Sequence, residues 1–194
     1  FSSITNIIIE NLTMNDKKQI ITMEDRLKEI IIGQDEAINK MCKIIKRNKV
    51  GLGNKSKSIG TALFVGASGV GKTLLAKKIA LEIFGDENSI VRLDMSEYSE
   101  KHSVAKLIGA PPGYIGNDNG GQLTEAIKRK KNCVLLLDEI EKAHKDVYNM
   151  FLQVFDEGRL TDSNGNLVDF RNVIIILTSN VGTKMASELG VSIW

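Results

Sequence analysis

Gly66-Ala67-Ser68-Gly69-Val70-Gly71-Lys72-Thr73 stands between a short apolar run, 61–65, and an amphipathic stretch, 72–84. The pattern is Gly-x-x-x-x-Gly-Lys-Thr, and a strand before it with a helix after it is the context that gives it meaning. Glycines let successive backbone N–H groups turn inward around phosphate oxygens, and the helix N-terminus adds the positive end of its dipole. Lys72 is long enough to reach the β- and γ-phosphates, and the Thr73 hydroxyl can ligate Mg²⁺. Residues 66–73 are therefore expected to cradle a nucleoside triphosphate. A glycine-rich turn that binds nothing is the alternative reading of the glycines alone.

Outward from this loop the chain alternates strand and helix. Apolar runs at 90–93, 133–137 and 173–177 follow the one at 61–65, with helical patterns at 72–84, 104–107, 123–130 and 146–155 between them. Strands that are apolar throughout, separated by helices, predict an α/β fold: a parallel central sheet flanked by helices on both faces, in three layers. Ahead of the loop, Ile38, Met41, Cys42 and Ile45 recur at the spacing of one helical face within 35–47. Lys40, Lys43, Lys46 and Arg47 fall on the opposite, solvated face. Residues 1–22 are polar apart from one isoleucine triplet and read as a linker, leaving 23–194 as the α/β domain.

Two strand ends carry further chemistry. The run 133–137 ends in Asp138-Glu139. Asp138 is placed to hold Mg²⁺ through its water shell, with Thr73 as the other protein ligand. Glu139 is expected to polarise the attacking water as general base. The run 173–177 leads to Asn180, within reach of the γ-phosphate or that water. An Asn after a strand is also a common turn former. The catalytic set is thus Lys72, Glu139 and Asn180.

Composition removes other classes. The 194 residues carry a net charge of +2, with 5% aromatic side chains, which gives no basic, aromatic surface for nucleic acid. The longest apolar runs, 133–137 and 173–177, fall far short of the roughly 20 residues that cross a membrane. Cys42 and Cys133 cannot build a disulfide framework and suggest a reducing compartment. His102 and His144 are isolated from any second ligand pair, which excludes a zinc hydrolase. No Asn-Lys-x-Asp appears, which speaks against a guanine-specific switch. Isoleucine outnumbers alanine 24 to 10 and lysine outnumbers arginine 20 to 6. This is the usage of an AT-rich genome, so the expected setting is a plastid or a bacterial cytoplasm.

Several blocks resemble one family. Ile32-Gly33-Gln34-Asp35-Glu36-Ala37 is similar to the adenine-side element of AAA+ ATPases. The stretch 101–121 (KHSVAKLIGAPPGYIGNDNGG), Leu123-Thr124-Glu125-Ala126, 138–144 (DEIEKAH) and 158–162 (GRLTD) resemble the second ATPase module of Clp/Hsp100 chaperones. The resemblance covers about 12–180. It implies a homo-hexameric ring that hydrolyses ATP and threads protein substrates through a central pore. Ile31 and Ile32 would then line the adenine pocket. Gly113-Tyr114-Ile115-Gly116 would be a pore loop in which Tyr114 and Ile115 grip the substrate, and 160–170 would form or flank a second. From composition alone, Pro111-Pro112-Gly113 is equally a rigid turn. The family's arginine finger and small helical domain are expected beyond residue 194, so an isolated chain is expected to hydrolyse ATP poorly.

The pattern departs from the family at Asn117-Asp118-Asn119, where an aromatic and acidic residues are usual, and at Lys145, where a proline is usual. Leu189-Gly190-Val191 is similar to the aliphatic-Gly-hydrophobic tripeptide with which some members dock on a ClpP-type peptidase. An ordinary loop fits it equally. Two alternatives stay open at this point: a disaggregase without a peptidase partner, and a nucleotide-binding fragment inactive in hydrolysis.

Overall fold

The computed structural model describes residues 14–67, 69–110 and 120–181, with only the backbone course for 14–21. The first elements among the described residues are α1 (Met14–Ile30) and α2 (Asp35–Arg47). The core then runs β1 (Gly60–Val65), α3 (Lys72–Phe84), β2 (Ile90–Asp94), α4 (Ser103–Ile108), α5 (Gln122–Arg129) and β3 (Cys133–Asp138). It continues through α6 (Lys145–Glu157), β4 (Arg159–Thr161), β5 (Leu167–Asp169) and β6 (Val173–Ser179). β1, β6, β3 and β2 lie in that order in one sheet, every pairing parallel.

The apolar strands dictate this arrangement, because a strand apolar at every position must be covered on both faces. All six residues of β3 are buried. Cys133, Leu135 and Leu137 face one way, packing with Leu107 of α4, Leu123 and Ile127 of α5 and Phe151 of α6. Val134 and Leu136 face the other way, with Met23 and Leu27 of α1, Ile38 and Met41 of α2 and Ile79 of α3. The result is the three-layer α/β fold expected.

Two elements were not expected. α1 runs straight across residue 22, where the sequence reading placed the end of a linker. Its buried apolar period starts only at Met23 and Leu27 and continues to Ile31 just past its end, so the first half carries no periodic signal. The helix is tied down by Arg26, whose Nε donates to Glu82 Oε2 of α3 at 2.9 Å, and by Lys46 of α2, which pairs with Glu24 at 3.3 Å.

The second is the β4–β5 hairpin, paired antiparallel from Arg159↔Asp169 to Thr161↔Leu167. Its three-residue strands are too short to read from periodicity. Leu160, Val168 and Phe170 are buried beneath it. The Asp162 carboxylate organises its turn, accepting from the backbone N–H groups of Asn164 (2.9 Å) and Asn166 (2.8 Å) and from Lys128 Nζ of α5 at 2.8 Å. Ser163 N–H donates to Ile108 O at 3.0 Å, which moors the turn to α4.

Burial works against the Asp162 charge, but Lys128 and the Asn166 and Asn164 donors overcome it and bring the pKa to about 2. The folded value lies below the unfolded one, near 3.9, so the contribution is fully present above about pH 4 and is lost as pH falls through about 2. At pH 6, Asp162→Asn is expected to cost roughly 2 kcal/mol in urea unfolding. The gap between parent and variant should close between pH 4 and pH 2; a gap independent of pH would contradict the assignment.

Cys42 and Cys133 are free and fully buried, and desolvation pushes both thiols up to about 11. Thiolate is the reactive form. Neither is expected to react with a disulfide reagent at pH 8 in the native protein, and both should react in 6 M guanidinium. Fast native labelling of either would place it nearer the surface than the structure does.

Candidate active site

Because the four strands are parallel, their C-terminal ends share one edge of the sheet, where ligands of such folds settle. β1 leads into 66–71, β3 ends at Asp138 and β6 ends one residue before Asn180. β6 lies between β1 and β3, so Asn180 falls between the glycine loop and the two acids, as its position after a strand suggested.

The loop geometry requires glycine at two points. Gly69 has φ +83° and Gly71, which caps the N-terminus of α3, has φ +96°, a left-handed backbone that costs other residues roughly 1–2 kcal/mol. Gly66 N–H donates to Ser179 O at 3.1 Å and fixes the loop to β6. Lys72 Nζ donates to Gly66 O (2.5 Å), Ala67 O (3.0 Å) and Asn180 Oδ1 (3.0 Å). Asn180 Nδ2 donates to Glu139 Oε1 at 3.2 Å. The three residues assigned to catalysis thus form one hydrogen-bonded row.

Asp138 is buried to 8% exposure, and its Oδ1 accepts from Thr178 Oγ1 at 2.7 Å. That hydroxyl also accepts from Glu139 N–H at 3.1 Å. Glu139 itself stands at φ +53°, the one positive-φ non-glycine among the described residues. A β-carbon there is strained, and such strain gathers at functional sites. Burial raises the charge cost of Glu141, but N–H donors, from Asn180 foremost, outweigh it and hold its carboxyl below the usual range. Its Oε1 accepts Asn180 N–H at 3.0 Å.

A cavity of about 350 Å³ is lined by Gly69, Gly71, Lys72, Thr73, Asp138, Glu139 and Asn180, together with Arg92, Asp94 and Thr178. An adjoining one of about 530 Å³ is bordered by Gln34, Ala37, Met41 and Ile44 on one side and by Val65, Gly66, Ala67 and Val70 on the other. Neither Ile31 nor Ile32 is among the lining residues. Ile31 is 4% exposed within the helical core, while Ile32 is 90% exposed. Just past the end of α1, Ile31 packs inward with Leu27 and donates its N–H to Leu27 O at 2.9 Å. Gln34 with the first turns of α2 borders the cavity on the side assigned to the isoleucine pair.

Thr73 and Asp138 offer oxygen to one cavity, a donor set that suits Mg²⁺. Among the described residues no three His, Cys, Asp or Glu side chains cluster as a metal cage. A Mg²⁺ here would complete its shell from phosphate and water, as that ion prefers. Ser68, Tyr114, Ile115, Leu189, Gly190 and Val191 lie outside the described residues. The sequence reading missed Arg92, Asp94, Thr178 and Glu141. Arg92 carried a usable signal, a cation interrupting the apolar run Ile90–Asp94.

A glycine cradle at the end of one parallel strand, facing a fixed carboxylate at the end of another, defines the P-loop class of nucleotide-binding domains. Within that class the chain belongs to the AAA domain family, Cdc48 subfamily, whose model matches residues 57–191, and it is a Clp/Hsp100 AAA+ module. It is 55% identical over 187 residues to the ATP-dependent Clp protease ATP-binding subunit ClpE of Streptococcus pneumoniae, covering 96% of this chain and 25% of that protein. It is 53% identical over 188 residues to the negative regulator of genetic competence ClpC/MecB of Bacillus subtilis (97% and 23%). To the chaperone protein ClpB of Gloeobacter violaceus it is 50% identical over 186 residues (96% and 21%). The chain therefore spans about a quarter of the length of these curated relatives. All three are bacterial, which lends the plastid expectation no support. Among the described residues no helix is long and apolar enough to cross a membrane.

Proposed function

We propose that this chain binds ATP with Mg²⁺ and hydrolyses it, as one module of a ring-forming bacterial machine that unfolds proteins. The observation that carries the reading is the row Lys72–Asn180–Glu139 along one cavity beside Asp138. In this reading Lys72 exchanges its loop carbonyls for phosphate oxygens. Thr73 and Asp138 hold the metal, which screens phosphate charge when bound. Glu139 takes a proton from the attacking water, and Asn180 fixes Glu139 Oε1 while marking where the γ-phosphate ends. Ala67, Ser68, Gly69, Val70 and Gly71 supply backbone donors, while Gly66, whose N–H is held by Ser179 O, anchors the start of the cradle. The base takes the larger cavity against Gln34 and Ala37, and Ile31 and Ile32, which precede that wall in sequence, are proposed to close on the adenine from there. The test is competition of ATP and GTP for the site, followed by ATP turnover with and without an unstructured protein such as casein. Equal affinity for GTP sinks the adenine reading, and turnover indifferent to protein sinks the unfoldase reading.

Tyr114 and Ile115 are proposed to grip the threaded chain, because an aromatic ring gives sequence-blind contact area. Leu189, Gly190 and Val191 are proposed to dock a ClpP-type peptidase. The relatives' names divide on this point, between Clp protease subunits and a chaperone, at nearly equal identity. Degradation of a tagged substrate by the intact protein with peptidase, parent against Leu189→Ala, decides it. No degradation by the parent leaves the disaggregase reading.

A further inference from the structure

Asp138, the carboxylate assigned above to the metal, is already paired with a cation. Arg92 Nε donates to its Oδ2 at 2.8 Å, and Arg92 Nη2 lies 2.7 Å from the same oxygen. Oδ1 is taken by the Thr178 hydroxyl at 2.7 Å. An oxygen that accepts two N–H groups of one guanidinium has both lone-pair directions committed. A metal's water shell and Arg92 therefore cannot both use Oδ2 as it stands.

The two partners are unequal. The Asp138 side chain is 12% exposed and pinned by Thr178, whereas the Arg92 side chain is 57% exposed. Arg92 comes from β2, whose Val91 and Leu93 are turned into the core while Arg92 is left outside it. The carboxylate is fixed and the guanidinium is free to leave. A second carboxylate borders the same cavity: Asp94, held by the Ser96 hydroxyl (2.6 Å) and N–H (3.0 Å), lies in the field of Arg92. It offers the displaced guanidinium another anion.

We propose that Arg92 is a displaceable counter-ion for Asp138. It neutralises the carboxylate in the absence of metal, must release it when the metal–nucleotide complex enters, and so sets how tightly the metal is held. Arg92 acts through Asp138 and is a positioning residue. The inference rests on the ATP–Mg²⁺ reading of the site.

The experiment compares the parent chain with Arg92→Gln and Arg92→Lys. Affinity for a fluorescent ATP analogue is measured in EDTA, and Mn²⁺ affinity is then measured by electron paramagnetic resonance at saturating analogue. Arg92→Gln is expected to bind the analogue within about threefold of the parent and Mn²⁺ about three- to fivefold more tightly, the upper scale of one partly exposed ion pair that no longer has to break. Arg92→Lys, which keeps the charge but not the fork, should fall between the two. Mn²⁺ affinity in Arg92→Gln equal to or below the parent's, with analogue binding intact, overturns the counter-ion role alone. A parent that binds no analogue under either condition overturns the nucleotide reading and this inference with it.

Discussion

Lys72→Ala is expected to weaken ATP binding by at least a hundredfold while the protein stays folded. In the structure the Lys72 ammonium is the only cation hydrogen-bonded to the glycine loop among the described residues, through Gly66 O and Ala67 O. In the proposed complex the ammonium exchanges these for phosphate oxygens. A hydrogen bond to a charged group is worth about 1.5–3 kcal/mol, so losing two phosphate contacts costs about 3–6 kcal/mol, or more than two decades of affinity. Gly69 and Gly71 and the start of α3 keep their backbone, and Gly66 keeps its bond to Ser179, so the fold has little to lose. Isothermal titration with ATP–Mg²⁺, alongside a thermal melt, measures both. Binding within tenfold of the parent would mean that phosphate is held elsewhere.

Glu139 carries the second large effect. Glu139→Gln keeps the shape and the Asn180 contact but cannot take a proton. Turnover should fall about 10²- to 10⁴-fold with ATP binding unchanged. Glu139→Gly gives the more informative comparison. Its backbone at φ +53° is strained for glutamate and free for glycine. Relief of about 1–2 kcal/mol is set against about 0.4–1 kcal/mol of extra unfolded-state entropy. The glycine variant is expected to be as stable as the parent or slightly more so, yet equally inactive. Stability from urea unfolding and turnover from phosphate release should therefore move apart. A clear loss of stability in Glu139→Gly would show that the left-handed backbone at this position carries no strain.

The sheet was legible because its strands are apolar on both faces, and a run such as 133–137 has no other way to be buried. The order of strands was not written in any one strand, yet it decides that Asn180 stands between Lys72 and Glu139. Motif spacing pointed to Lys72, Thr73, Asp138 and Glu139 because the phosphate chemistry constrains those types locally. Thr178 and Arg92 escaped because their roles depend on cross-strand neighbours: Arg92 pairs with Leu136 in register and reaches Asp138 only through its long side chain. The Ile31–Ile32 pair, just past the end of α1, was read as one unit and divides in the structure. The bend between α1 and α2 buries Ile31 in the core with Leu27 and leaves Ile32 in solvent.

Thr178 joins two tasks that the sequence presents as separate. Its hydroxyl spends its proton on Asp138 and its lone pair on the Glu139 N–H. In the function proposed above, cation holding and water activation would thus be aligned by a single oxygen on the strand between the acids and the glycine loop. Variants sorted by whether they lose the metal or the turnover would find no class for a lesion here, since it unseats both acids together. A shift of the Thr178 hydroxyl therefore moves the anchor of both acids at once.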